Sequence, residues 1–262
     1  MMTVDLKEKW HHEGYVKLVS FFNNQILNKL SLYIDEIASW PLSEDKWMTW
    51  YEKTDAGKLI ISRIEKFLDY HPGLAKEIFN DGRLYACLTN LLDEIPVLFK
   101  ERIIFKYPDS GGYKPHQDIY SIAYNLLQRE VYAVVAVFLD DADEENGCMY
   151  FSPCEHKKGI LSADEMGVMH ESVYKDFKWE PIKCLAGDIV IFDSYLPHYS
   201  EMNKSNRQRR VIYFPFQKTS TVGLTREQYY IRKRQIAPPQ GKNIDMNDLN
   251  KQNLINFRNQ IS

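Results

Sequence analysis

His116-Gln117-Asp118 is the first place where this chain could do chemistry. If the tripeptide ends a strand, residues i and i+2 face the same way, and one imidazole and one carboxylate point at a common centre. Alone the pattern is weak, because most His-x-Asp matches are solvated surface residues. The run Gly187-Asp188-Ile189-Val190-Ile191-Phe192-Asp193-Ser194-Tyr195-Leu196-Pro197-His198 supplies a second imidazole. There a turn feeds an apolar strand, which delivers a histidine to the loop beyond it. Taken singly, His198 reads equally well as an ordinary loop histidine. Two imidazoles and one carboxylate on one face form the facial triad of non-haem Fe(II) oxygenases, which leaves positions open for cosubstrate and O2.

A third element follows in Ser205-Asn206-Arg207-Gln208-Arg209-Arg210-Val211-Ile212-Tyr213-Phe214. Arg209 stands eleven residues after His198, where a strand begins. A guanidinium there can bind a carboxylate through two parallel hydrogen bonds. The distal carboxylate of 2-oxoglutarate needs such a partner once its keto-acid end chelates iron. Strand alternation sends Gln208 and Arg210 to the opposite face, and Arg207 reads as a solvated turn residue. Each arginine singly also fits a solvated turn; the three elements together are far more specific than any one.

The elements that must position these residues sit in a chain of 262 residues, 44% apolar and 26% charged, with net charge -3. That composition excludes a collagenous or largely disordered chain and lacks the bulk basic footprint of a nucleic-acid binder. Val131 to Leu139 falls far short of the roughly 20 apolar residues of a membrane helix. Met1 to Trp10 carries no apolar signal core. Cys87, Cys148, Cys154 and Cys184 form no CxxC pair and read as reduced thiols. The expectation is a cytoplasmic protein, monomer or homodimer, with a small-molecule substrate and neither nucleic acid nor membrane as partner.

Periodicity predicts helices over Val4 to His12, after an Asn23 or Asn24 cap up to Pro41, and over Leu74 to Phe79 and Gly82 to Leu92. Strands are predicted at Tyr15 to Val19, Val97 to Tyr107, Val131 to Leu139, Met149 to Phe151, Ile189 to Phe192 and Arg210 to Phe216. Trp40 to Tyr51 reads as an aromatic loop holding three tryptophans, and the Asn- and Gln-rich tail after Pro238-Pro239 as a surface helix or loose end. Short strands between turn clusters argue for a sandwich or barrel under a helical layer, not a doubly wound α/β sheet.

Several of these segments meet in one family. His116-Gln117-Asp118, Asn146-Gly147-Cys148-Met149 leading to Ser152-Pro153-Cys154-Glu155-His156-Lys157, and His198-Tyr199-Ser200 with Asn203 and Arg209 resemble the phytanoyl-CoA dioxygenase family. Phe105 to Gly112 and the opening Glu13-Gly14-Tyr15 with Phe21-Phe22 are similar to that family too, so the likeness covers roughly residues 5 to 220. It implies a mainly β, α+β fold: a double-stranded β-helix, or jelly roll, with flanking N-terminal helices. One domain is expected over 1–262, with a helical layer to about 95, a jelly-roll core to about 220 and a polar tail.

By position, the resemblance makes His116, Asp118 and His198 the Fe(II) ligands and Arg209 the anchor of 2-oxoglutarate, with Ser200 on the same carboxylate. Lys106 is a further pocket candidate. The cofactors are then Fe(II), 2-oxoglutarate and O2. The family's usual Pro-Gly-Thr/Ser-His turn stands here as Pro153-Cys154-Glu155-His156, and His156 is expected in a structural or pocket-wall role. Asp118 distinguishes the chain from the halogenase branch, which lacks the carboxylate, so hydroxylation is the implied outcome. Arg63 to Phe67 and Leu98 to Glu101 resemble bacterial 2-aminoethylphosphonate dioxygenases, which favours a small amine or phosphonate substrate. Tyr120, Tyr124 and the Trp40 to Tyr51 loop could box such a group by cation–π contact, or serve as core or lid packing. A natural-product tailoring hydroxylase and a non-catalytic paralogue that binds metal and 2-oxoglutarate remain alternatives.

Overall fold

Helices form where apolar side chains recur at helical spacing, and strands take most of the remaining chain. The computed structural model describes residues 4–54, 57–120, 133–221 and 223–239. The N-terminal elements are α1 (Val4–Glu13), β1 (Tyr15–Leu18), α2 (Asn24–Ala38), β2 (Met48–Lys53), β3 (Leu59–Glu65), α3 (Pro72–Phe79) and α4 (Arg83–Leu92). The middle holds β4 (Pro96–Leu98), β5 (Arg102–Lys106), β6 (Tyr113–His116), β7 (Ala133–Phe138), β8 (Met149–Phe151), α5 (Glu171–Tyr174) and β9 (Glu180–Ile182). Last come β10 (Ile189–Asp193), β11 (His198–Ser200), β12 (Arg209–Lys218) and α6 (Arg226–Ile236). Asn23 caps α2 as expected, its side-chain oxygen accepting from the Ile26 N–H at 3.0 Å.

Two antiparallel sheets make a jelly roll. The large one runs β1-β10-β7-β12-β5-β3-β2, with β4 also paired to β12, and the small one runs β6-β11-β8-β9. Because side chains alternate along a strand, the large sheet has two apolar faces. Ile103, Phe105, Val135, Val137, Ile212 and Phe214 pack outward against Leu30, Ile34 and Ile37 of α2 and Leu84, Leu88 and Leu91 of α4. Ile104, Val134, Ala136, Phe138 and Val211 point inward to Met149, Phe151 and Ile182 of the small sheet. The polar residues of the site lie on this inner side.

Several local expectations change. Trp40 to Tyr51 is not a loop throughout, since Met48 to Tyr51 belong to β2, paired with the unanticipated β3. Both faces of β2 carry large side chains, which hides its alternation. Trp40 and Trp47 pack together at 4.4 Å, and Trp47 meets Tyr70 edge-on at 5.5 Å. The strand expected over Val97 to Tyr107 is broken. Leu98 pairs with Phe216 and Arg102 with Tyr213, so four steps on one chain oppose three on the other. The extra residue is a bulge, a device that re-aims side chains. Strands β9 and β11 and helices α5 and α6 were also not expected: His198, read as a loop residue, opens β11, while β6 is the short strand assumed to end at His116. Tyr124, Val131, Tyr132 and the tail from residue 240 lie outside the described residues.

Candidate active site

Strand β6 ends at His116, and β11 begins at His198; the two are register partners. Their rings lie 4.1 Å apart between centroids. His116 Nδ1 meets the Lys114 carbonyl at 2.7 Å and His198 Nδ1 meets the Leu196 carbonyl at 2.9 Å. A carbonyl can only accept, so each Nδ1 carries the hydrogen and each Nε2 keeps its lone pair. Both lone-pair nitrogens face Asp118, at 3.9 and 3.8 Å from its Oδ1. The possible ligand atoms of the three buried residues all lie within 4.8 Å of one another.

The charges of the trio suit metal binding. Burial, reinforced by His198, pushes the His116 imidazole down to about 3, and burial lowers His198 too. Both rings are therefore neutral at physiological pH, the state that ligates. Burial alone would raise Asp118, but the Arg102 guanidinium leads the interactions that outweigh it and hold the carboxyl below its usual range. Arg102 donates to both Asp118 oxygens, at 3.2 and 3.1 Å. Gln117 fastens the loop between the ligands: its amide donates to the carbonyls of Tyr195 at 2.6 Å and Gly159 at 2.9 Å.

Beside the trio lies a cavity lined by Arg102, His116, His198, Ser200, Arg209 and Tyr213 among others. Arg209 opens β12 and is 1% exposed, yet its Nε and Nη1 have no hydrogen-bond partner among the described residues. Alternation sends Arg210 the other way, to Asp140 at 2.8 Å and Asp35 at 2.7 Å. Arg207 is solvent-facing and paired with Asp143. Lys106 is the register partner of Arg209. Its ammonium donates to Ser200 Oγ at 2.9 Å, to the Gly147 carbonyl at 3.3 Å and to the Glu201 carbonyl. Lys106 thus ties Ser200 to the loop opposite.

Other candidates fall elsewhere. His156 packs on Gly14, where a Cβ would stand 2.5 Å from its Nδ1. Tyr120 donates to the Leu161 carbonyl. Among the tryptophans of the aromatic segment, Trp50 alone is fully buried, stacked under Arg63 at 4.4 Å and Lys233 at 4.9 Å. Arg102 and Gln117 stand beside the trio and were passed over by the motif reading. The signal for Arg102 was available, since Arg102, Ile104 and Lys106 share the inner face of an otherwise apolar strand.

Known proteins match this chain in sequence and in fold. The sequence profile of the family Phytanoyl-CoA dioxygenase (PhyH) matches residues 10–211. The chain is 34% identical over 227 residues to the methylphosphonate hydroxylase of Gimesia maris, covering 87% of this chain and 85% of that one. It is 32% identical over 261 residues to a 2-aminoethylphosphonate dioxygenase from an uncultured bacterium, covering 99% and 98%. In fold it matches EctD from S. alaskensis, solved with 2-oxoglutarate and 5-hydroxyectoine, at a TM-score of 0.71 and 17% identity over 84% of this chain and 77% of that one. The epimerase SnoN, solved with Fe3+, alpha ketoglutarate and nogalamycin RO, superposes at 0.68 with 14% identity over 92% and 91%. With the profile spanning most of its length and two relatives above 30% identity aligned nearly end to end, the chain belongs to the phytanoyl-CoA dioxygenase family.

Proposed function

We propose that His116, Asp118 and His198 hold Fe(II), that Arg209 with Ser200 receives the distal carboxylate of 2-oxoglutarate, and that the substrate is a small alkylphosphonate. The protein is an Fe(II)- and 2-oxoglutarate-dependent dioxygenase acting on a small molecule. The donor set fits the ion: two neutral imidazole Nε2 atoms and one carboxylate are the ligands a non-haem ferrous site uses. Arg209 carries the cosubstrate assignment, because it is buried beside the trio with Nε and Nη1 lacking a partner among the described residues, donors that an anionic ligand would meet.

With ion and cosubstrate bound, the centre couples O2-driven decarboxylation of 2-oxoglutarate to insertion of oxygen into a substrate C–H bond. The balance is substrate C–H plus 2-oxoglutarate plus O2, giving C–OH, succinate and CO2. The protein supplies fixed geometry. The Lys114 and Leu196 carbonyls hold the two imidazole tautomers, and Arg102 restrains Asp118 from rotating. Lys106 keeps Ser200 beside Arg209, and the inner apolar faces exclude water.

The phosphonate reading rests on the two relatives, whose named substrates share only that group. Methylphosphonate offers a single carbon, bonded to phosphorus, so oxidation at the corresponding carbon is expected here. The free thiols of Cys87, Cys148, Cys154 and Cys184 suit a reducing, cytoplasmic setting. The test is succinate formation with Fe(II), O2 and 2-oxoglutarate in the presence of methylphosphonate, 2-aminoethylphosphonate, simple amines or acyl thioesters. Phosphonates should stimulate it; stimulation by acyl thioesters alone would refute the substrate.

A further inference from the structure

Tyr213 lines the cavity beside the trio, and neither the motifs nor the metal chemistry gives it a task. Residues i, i+2 and i+4 of a strand share one face, so Tyr213, four residues after Arg209 on β12, points the same way. Its register partner on β5 is Arg102, as that of Arg209 is Lys106. The phenol ring is buried with the Arg102 guanidinium over its face, 5.0 Å from the centroid. Arg102 is itself fixed by Asp118, so the ring is held in one orientation.

The hydroxyl of Tyr213 reaches across to the small sheet. It donates to Met149 Sδ at 3.4 Å, and Met149 is the register partner of Ser200. A thioether is a weak acceptor, so this buried O–H is only partly satisfied. The phenol keeps its proton: burial raises it, and the Arg209 and Arg102 guanidinium groups beside it oppose that only in part. Three kinds of donor therefore line one cavity. Arg209 has Nε and Nη1 without a partner among the described residues. Ser200 Oγ accepts from Lys106 at 2.9 Å, which leaves its own O–H to donate. Tyr213 offers an O–H now spent on sulfur. A carboxylate has two oxygens and about four lone-pair sites, enough to accept from all three.

We propose that the Tyr213 hydroxyl leaves Met149 Sδ when 2-oxoglutarate binds and donates to its distal carboxylate, a third donor beside Arg209 and Ser200. This rests on the cosubstrate reading above and adds a residue that selects for that end of the molecule. The exchange trades a weak sulfur acceptor for a charged oxygen, and hydrogen bonds to ionised acceptors are the stronger kind. A keto acid without a distal carboxylate offers the hydroxyl nothing better than the sulfur it already has. Tyr213 therefore favours the dicarboxylate and is indifferent to its monocarboxylate analogue.

Anaerobic calorimetric titration of the Fe(II)-loaded protein tests this, with 2-oxoglutarate and with 2-oxopentanoate, which ends in a methyl where the former carries its distal carboxylate. Tyr213→Phe keeps the ring under Arg102 and removes only the hydroxyl. It should weaken 2-oxoglutarate binding about tenfold or more and leave the affinities for 2-oxopentanoate and Fe(II) unchanged. A residue that merely fills the wall would move both keto acids alike; that result, or no loss for 2-oxoglutarate, would overturn the assignment. Met149→Leu, a swap that conserves volume, removes the competing acceptor and should hold 2-oxoglutarate affinity at or above wild type. A loss as large as that of Tyr213→Phe would show that the tie to sulfur matters rather than the donor, and would overturn it as well. Arg209→Ala separates the two levels. If it abolishes discrimination between the keto acids while Tyr213→Phe leaves discrimination intact, only the Tyr213 assignment falls. If Arg209→Ala also leaves discrimination intact, the cosubstrate reading falls and takes the Tyr213 assignment with it.

Discussion

At the scale of single residues, two arginines on the inner face do different work, and their substitutions should separate. If Arg209 anchors the cosubstrate, Arg209→Ala removes a buried guanidinium whose charge-assisted bonds contribute about 1.5–3 kcal/mol each. We expect 2-oxoglutarate affinity to fall about 100-fold or more, while Fe(II) affinity changes little, in paired titrations of metal and cosubstrate. Equal cosubstrate affinity in wild type and variant would refute the assignment. Arg102→Lys does the reverse. It loses the two-oxygen grip on Asp118, and partners that steady a ligand typically contribute about 10–100-fold to metal affinity. Fe(II) titration should show a loss in that range. Arg209 was legible in the sequence because its spacing from His198 and its place on a strand are both local facts. Arg102 was not singled out, because what gives it meaning is Asp118, reached only after the chain has turned from β5 into β6.

At the scale of elements, the site depends on how neighbouring segments fit, and Gly147 is a sensitive joint. Its φ of 73° is left-handed, and a Cβ there would stand 2.4 Å from the Glu201 carbonyl and 2.8 Å from Lys106 Nζ. Gly147→Ala should cost about 1–3 kcal/mol in denaturant unfolding. It should also weaken 2-oxoglutarate binding, because Lys106 must shift and Ser200 with it. Strands β7 and β10 were readable as apolar runs bounded by turns, and α2 from its cap and spacing. Strand β3 was not, and β6 entered only as the strand end assumed for His116. Arg63 and Glu65 interrupt β3 with buried charge, and β6 is only Tyr113 to His116, with Pro115 inside it. Helix α6 lacks a clear apolar stripe. Its inward residues are Tyr229, Tyr230 and Lys233, chosen for the polar cluster they meet rather than for a hydrophobic core.

At the scale of the molecule, two sheets under a helical layer bury ionisable groups that tie global stability to pH. Asp193, at the end of β10, shows this away from the metal ligands. Burial drives its carboxyl up to about 7, only partly opposed by the bond it accepts from the Tyr195 N–H at 2.8 Å. In the unfolded chain the same group titrates near 3.9. The folded state therefore holds this proton more tightly. The stability it contributes is complete below about pH 4, is lost as pH rises towards 7, and stays lost above that. The substitution Asp193→Asn would keep a side-chain oxygen to accept from Tyr195 and remove the titration. For that variant, the stability gained over wild type should grow across pH 4 to 7 by at most about 1.4 kcal/mol per unit, then level off. Urea unfolding of both proteins at pH 5 and 8 measures it. Groups common to both proteins cancel in the difference, so a gap equal at the two pH values would show that Asp193 is ionised in the folded protein throughout this range.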